Sequence, residues 1–129
     1  MTTDAHTANK ALIAPLRAAM YDFCEGGVRA ALDEVCAPDA LFRLCHPFGD
    51  SIGAAAFYDD AYAGLLAAWP DLERRDWIVM AGTDGHGHDW VGCGGYYTGV
   101  FTAPWLDIPP TGHQTHMRFH QFFCIEDGK

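Results

Sequence analysis

The segment His113 to Ile125 (HQTHMRFHQFFCI) mixes three histidines, an arginine and two glutamines with apolar residues. Read as a strand, its side chains alternate between two faces. Met117, Phe119, Gln121, Phe123 and Ile125 then form one row, apolar except for Gln121. His116, Arg118, His120, Phe122 and Cys124 form the other. The first row suits the wall of a pocket. The second suits an outer face that could meet a second copy of the chain. Gln121 can donate a hydrogen bond but cannot usefully take a proton, so it reads either as a satisfied buried amide or as a ligand contact.

Other candidates lie upstream. Asp89 opens a strand beside Val91 and Cys93, where apolar neighbours could raise its pKa and make it a base; the plain alternative is a solvated carboxylate flanking a turn. Tyr97 could donate its phenol to an enolate oxygen, or pack in the core with its hydroxyl at the rim. His46 follows a short strand and could titrate at a cavity mouth or sit on the surface. Trp90, Trp105, Met117, Phe119 and Phe123 supply apolar lining for a substrate. Asp59 and Asp60 read as a solvated helix face. A metal site is not expected. His113 and His116 point to opposite faces of a strand, and His116 and His120 stand about 13 Å apart at ~3.3 Å per residue. His86 and His88 would need a third ligand from elsewhere.

The elements that must hold these residues follow from periodicity. Leu12, Ile13, Leu16, Met20 and Phe23 form a helical stripe over Asn9 to Cys24, after a polar and frayed stretch at residues 1–8. Gly26-Gly27 breaks it, and a shorter helix runs from Val28 to Cys36. Ala40 to Cys45 is a strand, and His46 to Asp50 a loop with Ser51 as helix cap. A third helix, rich in small residues with Phe57, Leu65 and Leu66 for bulk, runs from about Gly53 to Trp69, where Pro70 stops it. Strands follow at Glu73 to Ala81, Asp89 to Phe101 and His113 to Ile125, with Thr83 to Gly87 as a hairpin turn. Helices first and consecutive strands later make this an α+β chain, with helices packed in the concave face of a curved antiparallel sheet.

The length of 129 residues fits one domain, and half of them are hydrophobic, enough for a folded core. A formal charge of −9 argues against nucleic acid and anionic membranes, which need a basic footprint, and mildly against anionic substrates. Five cysteines without a C-x-x-C pair, and an N-terminus without an apolar leader core, read as buried thiols in a reducing cytoplasm. No apolar run reaches the ~20 residues of a membrane helix.

The order Gly95-Tyr-Tyr-Thr-Gly99, Ile108-Pro109-Pro110-Thr111-Gly112 and Glu126-Asp127-Gly128-Lys129, with Pro38-Asp39 and Trp69-Pro70-Asp71-Leu72 upstream, resembles the SnoaL-like polyketide cyclases from about Tyr21 onward. The resemblance implies a cone-shaped, cystatin-like α+β domain over residues 1–129, shared with ketosteroid isomerase and scytalone dehydratase. It implies a cofactor-free cyclase, isomerase or lyase acting on a small hydrophobic carbonyl compound; the alternative is a non-catalytic binder of a hydrophobic metabolite, and the outer face with Phe122 and Cys124 is expected to form a homodimer. Gln121 falls near a histidine that helps catalysis in the characterised cyclases. Tyr97 falls where the family often has histidine. The family's last strand, which carries the catalytic aspartate of those cyclases, has no counterpart before Lys129, so the domain is expected to lack it. The loop from Gly99 to Ile108 is about four residues longer than usual. An epoxide-hydrolase-like site would need an Asp–Arg–Asp cluster, and Arg118 sits on the wrong row for one.

Overall fold

Helical and strand periodicities convert into a computed structural model that describes residues 3–129. The order is α1 (Thr3–Tyr21), α2 (Glu25–Val35), β1 (Leu41–Arg43), β2 (Asp50–Ile52), α3 (Ala54–Phe57), a π-helical turn (Tyr58–Tyr62), α4 (Ala63–Ala68), β3 (Glu73–Thr83), β4 (Asp89–Val100) and β5 (Gln114–Ile125). It is the α+β arrangement expected. β1 and β2 form a small antiparallel pair, and β3, β4 and β5 form an antiparallel sheet in that order. Among the described residues, no helix is long and apolar enough to cross a membrane.

Ile13, Leu16 and Met20 recur at helical spacing on α1 and are fully buried, which presses that stripe into the core. On α2, Val28, Ala31, Leu32 and Val35 do the same. Helical backbone continues from α3 through the π turn into α4. The wider turn carries Tyr58 and Tyr62 inward behind Phe57, and all three are buried.

Several expectations are corrected. Helix α1 starts at Thr3, so residues 3–8 are helical rather than frayed; residues 1 and 2 lie outside the described part. Gly26 and Gly27 lie in the first turn of α2 instead of breaking a helix. Ser51 is a residue of β2, its hydroxyl donating to Asp60 (2.8 Å), while Gly53 caps α3. Asp59 pairs with Arg29 across the surface.

The sheet register builds the interior row by row. Arg74, Tyr97 and Met117 lie side by side on β3, β4 and β5, followed by Asp76, Gly95 and Phe119. The pairing shifts between Asp76 and Ile78, a bulge that leaves Trp77 and Ile78 exposed. Gly95 makes this possible, because a Cβ there would stand 1.9 Å from the carbonyl oxygen of Arg75. The backbone of Arg75 and Asp76 closes in on the space that a side chain at Gly95 would take.

Candidate active site

The interior is organised around the guanidinium of Arg74. Its centre lies 4.3 Å from the centroid of the Phe119 ring, and the side chain has no exposed surface. A buried charge must be paired and hydrogen-bonded to persist. Arg74 Nε donates to Asp76 Oδ1 (3.1 Å) and Nη1 to Gln121 Oε1 (2.6 Å), with Met20 Sδ at 3.3 Å. Nη2 comes within 3.1 Å of Asp76 Oδ1 but without hydrogen-bond geometry. The second oxygen of Asp76 accepts from Arg17 Nε (3.0 Å). One carboxylate therefore sits between two arginines, the reverse of the Asp–Arg–Asp cluster that an epoxide-hydrolase-like site would need.

Beyond Gln121 the chain of polar groups continues. Gln121 Nε2 lies 3.5 Å from the Tyr62 hydroxyl, which lies 3.5 Å from the Tyr97 hydroxyl. Aromatic rings enclose both phenols: Phe23 and Phe57 edge-on to Tyr62, and Phe119 tilted against Tyr97. Burial pushes both phenols up, Tyr97 well above its ordinary value; the nearby Arg74 charge opposes the rise without cancelling it. Both hydroxyls therefore keep their protons at neutral pH. Burial works against the charge on Arg74, but its pKa still lies above the ordinary value, with Asp76 as its anionic partner, and the guanidinium stays charged. The set holds two protonated phenols as hydrogen-bond donors, backed by an amide and a cation already committed to partners within the chain. An oxygen gaining negative charge beside them is stabilised far more than in water.

Of the residues singled out from sequence, Gln121 and Tyr97 belong to this network, and Phe119 packs against both Tyr97 and Arg74. Met117 and Phe123 are partly buried against the same core, on the inward row of β5. Trp105 packs edge-on against Trp69, which stacks on Phe101 (4.4 Å), near the mouth of the long loop. Asp89 stands in the row of Thr83 and Ile125, accepting from the Thr83 hydroxyl (2.9 Å), four residues along β4 from the Cys93–Gln121 pair. That is about 13 Å at ~3.3 Å per residue, beyond reach of the tyrosines. His46 is exposed between β1 and β2. Trp90 lies on the opposite side of β4 from the buried Val91, Cys93 and Tyr97, with its Nε1 donating to Asp84 (2.9 Å). Its even number puts it on the convex face, away from the interior.

Sequence reasoning missed Arg74, Asp76, Arg17 and Tyr62. One signal was available: Leu72, Arg74 and Asp76 alternate in phase, so a buried Leu72 carries both charges inward with it.

Fold and interior together define a small α+β cone with a donor-rich polar chain in an aromatic core. The chain belongs to the SnoaL-like polyketide cyclase family, whose model matches residues 14–129. Solved structures share the fold. A protein of Jannaschia sp. CCS1 assigned as a SnoaL-like polyketide cyclase superposes with a TM-score of 0.74 at 22% identity, over 100% of this chain and 84% of its own. IdmH of Streptomyces antibioticus, assigned as a polyketide cyclase, gives 0.72 at 21% identity over 94% and 85%. AclR of Streptomyces galilaeus, assigned as a hydroxylase, gives 0.71 at 21% identity over 96% and 74%. No curated protein matches significantly. Cyclase and hydroxylase assignments on one fold show that the cone does not fix the reaction.

Proposed function

We propose that this protein is a cofactor-free acid–base enzyme related to the polyketide cyclases, acting on a small apolar carbonyl compound by cyclisation, isomerisation or elimination. The observation that carries the reading is the buried chain Arg74–Gln121–Tyr62–Tyr97. A protonated phenol held in an apolar interior donates to a carbonyl oxygen and stabilises the enolate that forms on loss of an α-proton. Tyr97 and Tyr62 are the donors. Arg74 acts through Gln121, which it holds in place. His46, exposed between β1 and β2, and Asp89, held by Thr83 at the far end of β4, are the base candidates read from sequence; both stand away from the phenols, so the reading rests on the donors, with the α-proton passing to solvent. Trp105, Met117, Phe119 and Phe123 contribute apolar contact.

A second reading is a binder without turnover. It is favoured by Asp76, whose two oxygens are both engaged by arginines and so are poorly placed to take a proton. Hydrogen–deuterium exchange at the α-carbon of a hydrophobic ketone separates the two. An enzyme accelerates exchange over buffer. A binder raises the melting temperature and leaves exchange at the buffer rate.

The protein is further proposed to act as a homodimer in a reducing compartment such as the cytoplasm. The convex sheet face exposes Trp77, Ile78, Met80 and Phe122, and all five cysteines are free, with Cys24 and Cys45 exposed rather than buried as expected from sequence.

A further inference from the structure

We infer that the groove between α1 and β3 is a binding site for a planar, singly charged carboxylate, distinct from the tyrosine pair. The groove is open and holds about 450 Å³, within the range of small-molecule sites. Arg17, Arg74 and Arg75 line it, with Asp76 as the single carboxylate of its wall. The chain as a whole has formal charge −9 and only eight Lys and Arg. Gathering three arginines in one concavity therefore runs against the overall balance.

The partners leave a residual positive charge. Asp76 lies between Arg17 and Arg74, and Glu73 pairs with Arg75. Three guanidiniums against two carboxylates leave one charge over, which a monoanion matches and a dianion exceeds. Free donors are present too. Arg17 uses only Nε, leaving both terminal NH2 groups without a hydrogen-bond partner among the described residues. Arg74 has no exposed side-chain surface, so it adds charge behind the wall rather than a contact. A guanidinium presents paired donors that match a carboxylate.

The rest of the groove favours a flat body. Ala14 and Ala18 give α1 a low, smooth wall, and Tyr21 stands half exposed beneath Arg75, whose guanidinium centre is 4.8 Å from the ring centroid. A planar ring can lie against Ala14 and Ala18 beside Tyr21 while its carboxylate meets Arg17. This assignment stands whether or not the interior is catalytic, because it is read by binding alone.

The test is calorimetric titration with 2-naphthoate, and with 2-naphthamide as the neutral isostere. The expected result is 1:1 saturable binding of the naphthoate, at least about tenfold tighter than the amide, as charge-assisted hydrogen bonds imply. Arg17→Gln should weaken it about tenfold, and so should Arg75→Gln, an exposed position that keeps the test open if the first variant misfolds. Tyr21→Ala should weaken the naphthoate more than it weakens acetate. Equal affinity for naphthoate and naphthamide, no saturable binding at millimolar concentration, or binding indifferent to both arginine substitutions would each overturn the assignment.

Discussion

Arg74→Met should be among the most damaging single substitutions in this protein, and the structure says by how much. The side chain has no exposed surface, so nothing it leaves behind is rescued directly by water. Its removal strips Gln121 Oε1 of a 2.6 Å charge-assisted bond and Asp76 Oδ1 of its partner at 3.1 Å. Breaking a buried ion pair at one end costs about 3–5 kcal/mol. Arg17 still holds the other oxygen of Asp76, which places the expectation near the lower bound, about 3 kcal/mol. With a urea slope of roughly 2 kcal/mol/M for a domain of this size, the midpoint should fall by about 1.5 M. The partner substitution sharpens the test. Asp76→Asn removes the charge that Arg74 neutralises, so the two losses should not add. A double-mutant cycle should give a coupling of at least about 1 kcal/mol. The assay is urea unfolding followed by tryptophan fluorescence and circular dichroism. A loss under about 1 kcal/mol for Arg74→Met, or additive effects in the cycle, would show that the network is not what organises the interior.

The buried tyrosines predict alkaline behaviour. Their folded pKa values lie above the ordinary value of about 10, so the stability they contribute is complete below pH 10 and declines as pH rises beyond it, when unfolded phenols ionise first. Urea midpoints measured between pH 8 and 11 should fall less steeply for Tyr97→Phe than for the wild type. Asp84 predicts the opposite edge. It accepts from the backbone N–H groups of His88 and His86 and from Trp90 Nε1, which hold its carboxyl well below the usual range. Its contribution is present above the unfolded carboxylate value and lost as pH falls through the depressed one. The melting temperature of Asp84→Asn should therefore drop less between pH 5 and pH 2.5 than that of the wild type. Gly95→Ala would drive a Cβ into the Arg75 carbonyl and should cost more than about 3 kcal/mol or prevent folding, seen as loss of soluble protein or of near-ultraviolet dichroism. Leu106 and Asp107 both have positive φ (50° and 64°) at a two-residue turn bridged by Trp105 and Ile108. Replacing them by Asn-Gly, which suits that turn, should raise stability by about 1 kcal/mol in the same urea assay.

Much of the frame was legible because burial is written as periodicity. The β5 rows fall as the alternation implies, with Phe119 buried and Phe122 66% exposed. The α1 stripe is likewise plain in the spacing of Ile13, Leu16 and Met20. Gln121 stood out as a polar residue in an apolar row. Arg74 did not, because an arginine in the run Glu73-Arg74-Arg75-Asp76 looks like any solvated charge. Its burial goes with a close approach of β3 to Gly95 on the neighbouring strand β4 and with a bulge that local sequence does not announce. Tyr62 was hidden for a related reason: the π turn shifts the helical phase, and a 3.6-residue reading does not anticipate it. Trp90 looked like pocket lining on residue type alone. The parity set by Val91 and Tyr97 puts it outside. The strand β2 is only Asp50–Ile52, too short for any period to show.

The central claim, that Tyr62 and Tyr97 hold a carbonyl oxygen as it becomes an enolate, is tested most directly by α-hydrogen exchange of a hydrophobic ketone in heavy water, followed by proton NMR. The wild type and Tyr97→Phe should be run side by side at neutral pH. Exchange above the buffer rate is expected for the wild type, with a loss of about 100-fold in the protein-dependent rate for Tyr97→Phe, the scale of removing one oxyanion donor, and little change in the urea midpoint. No acceleration by the wild type, or equal acceleration by the variant, would contradict it.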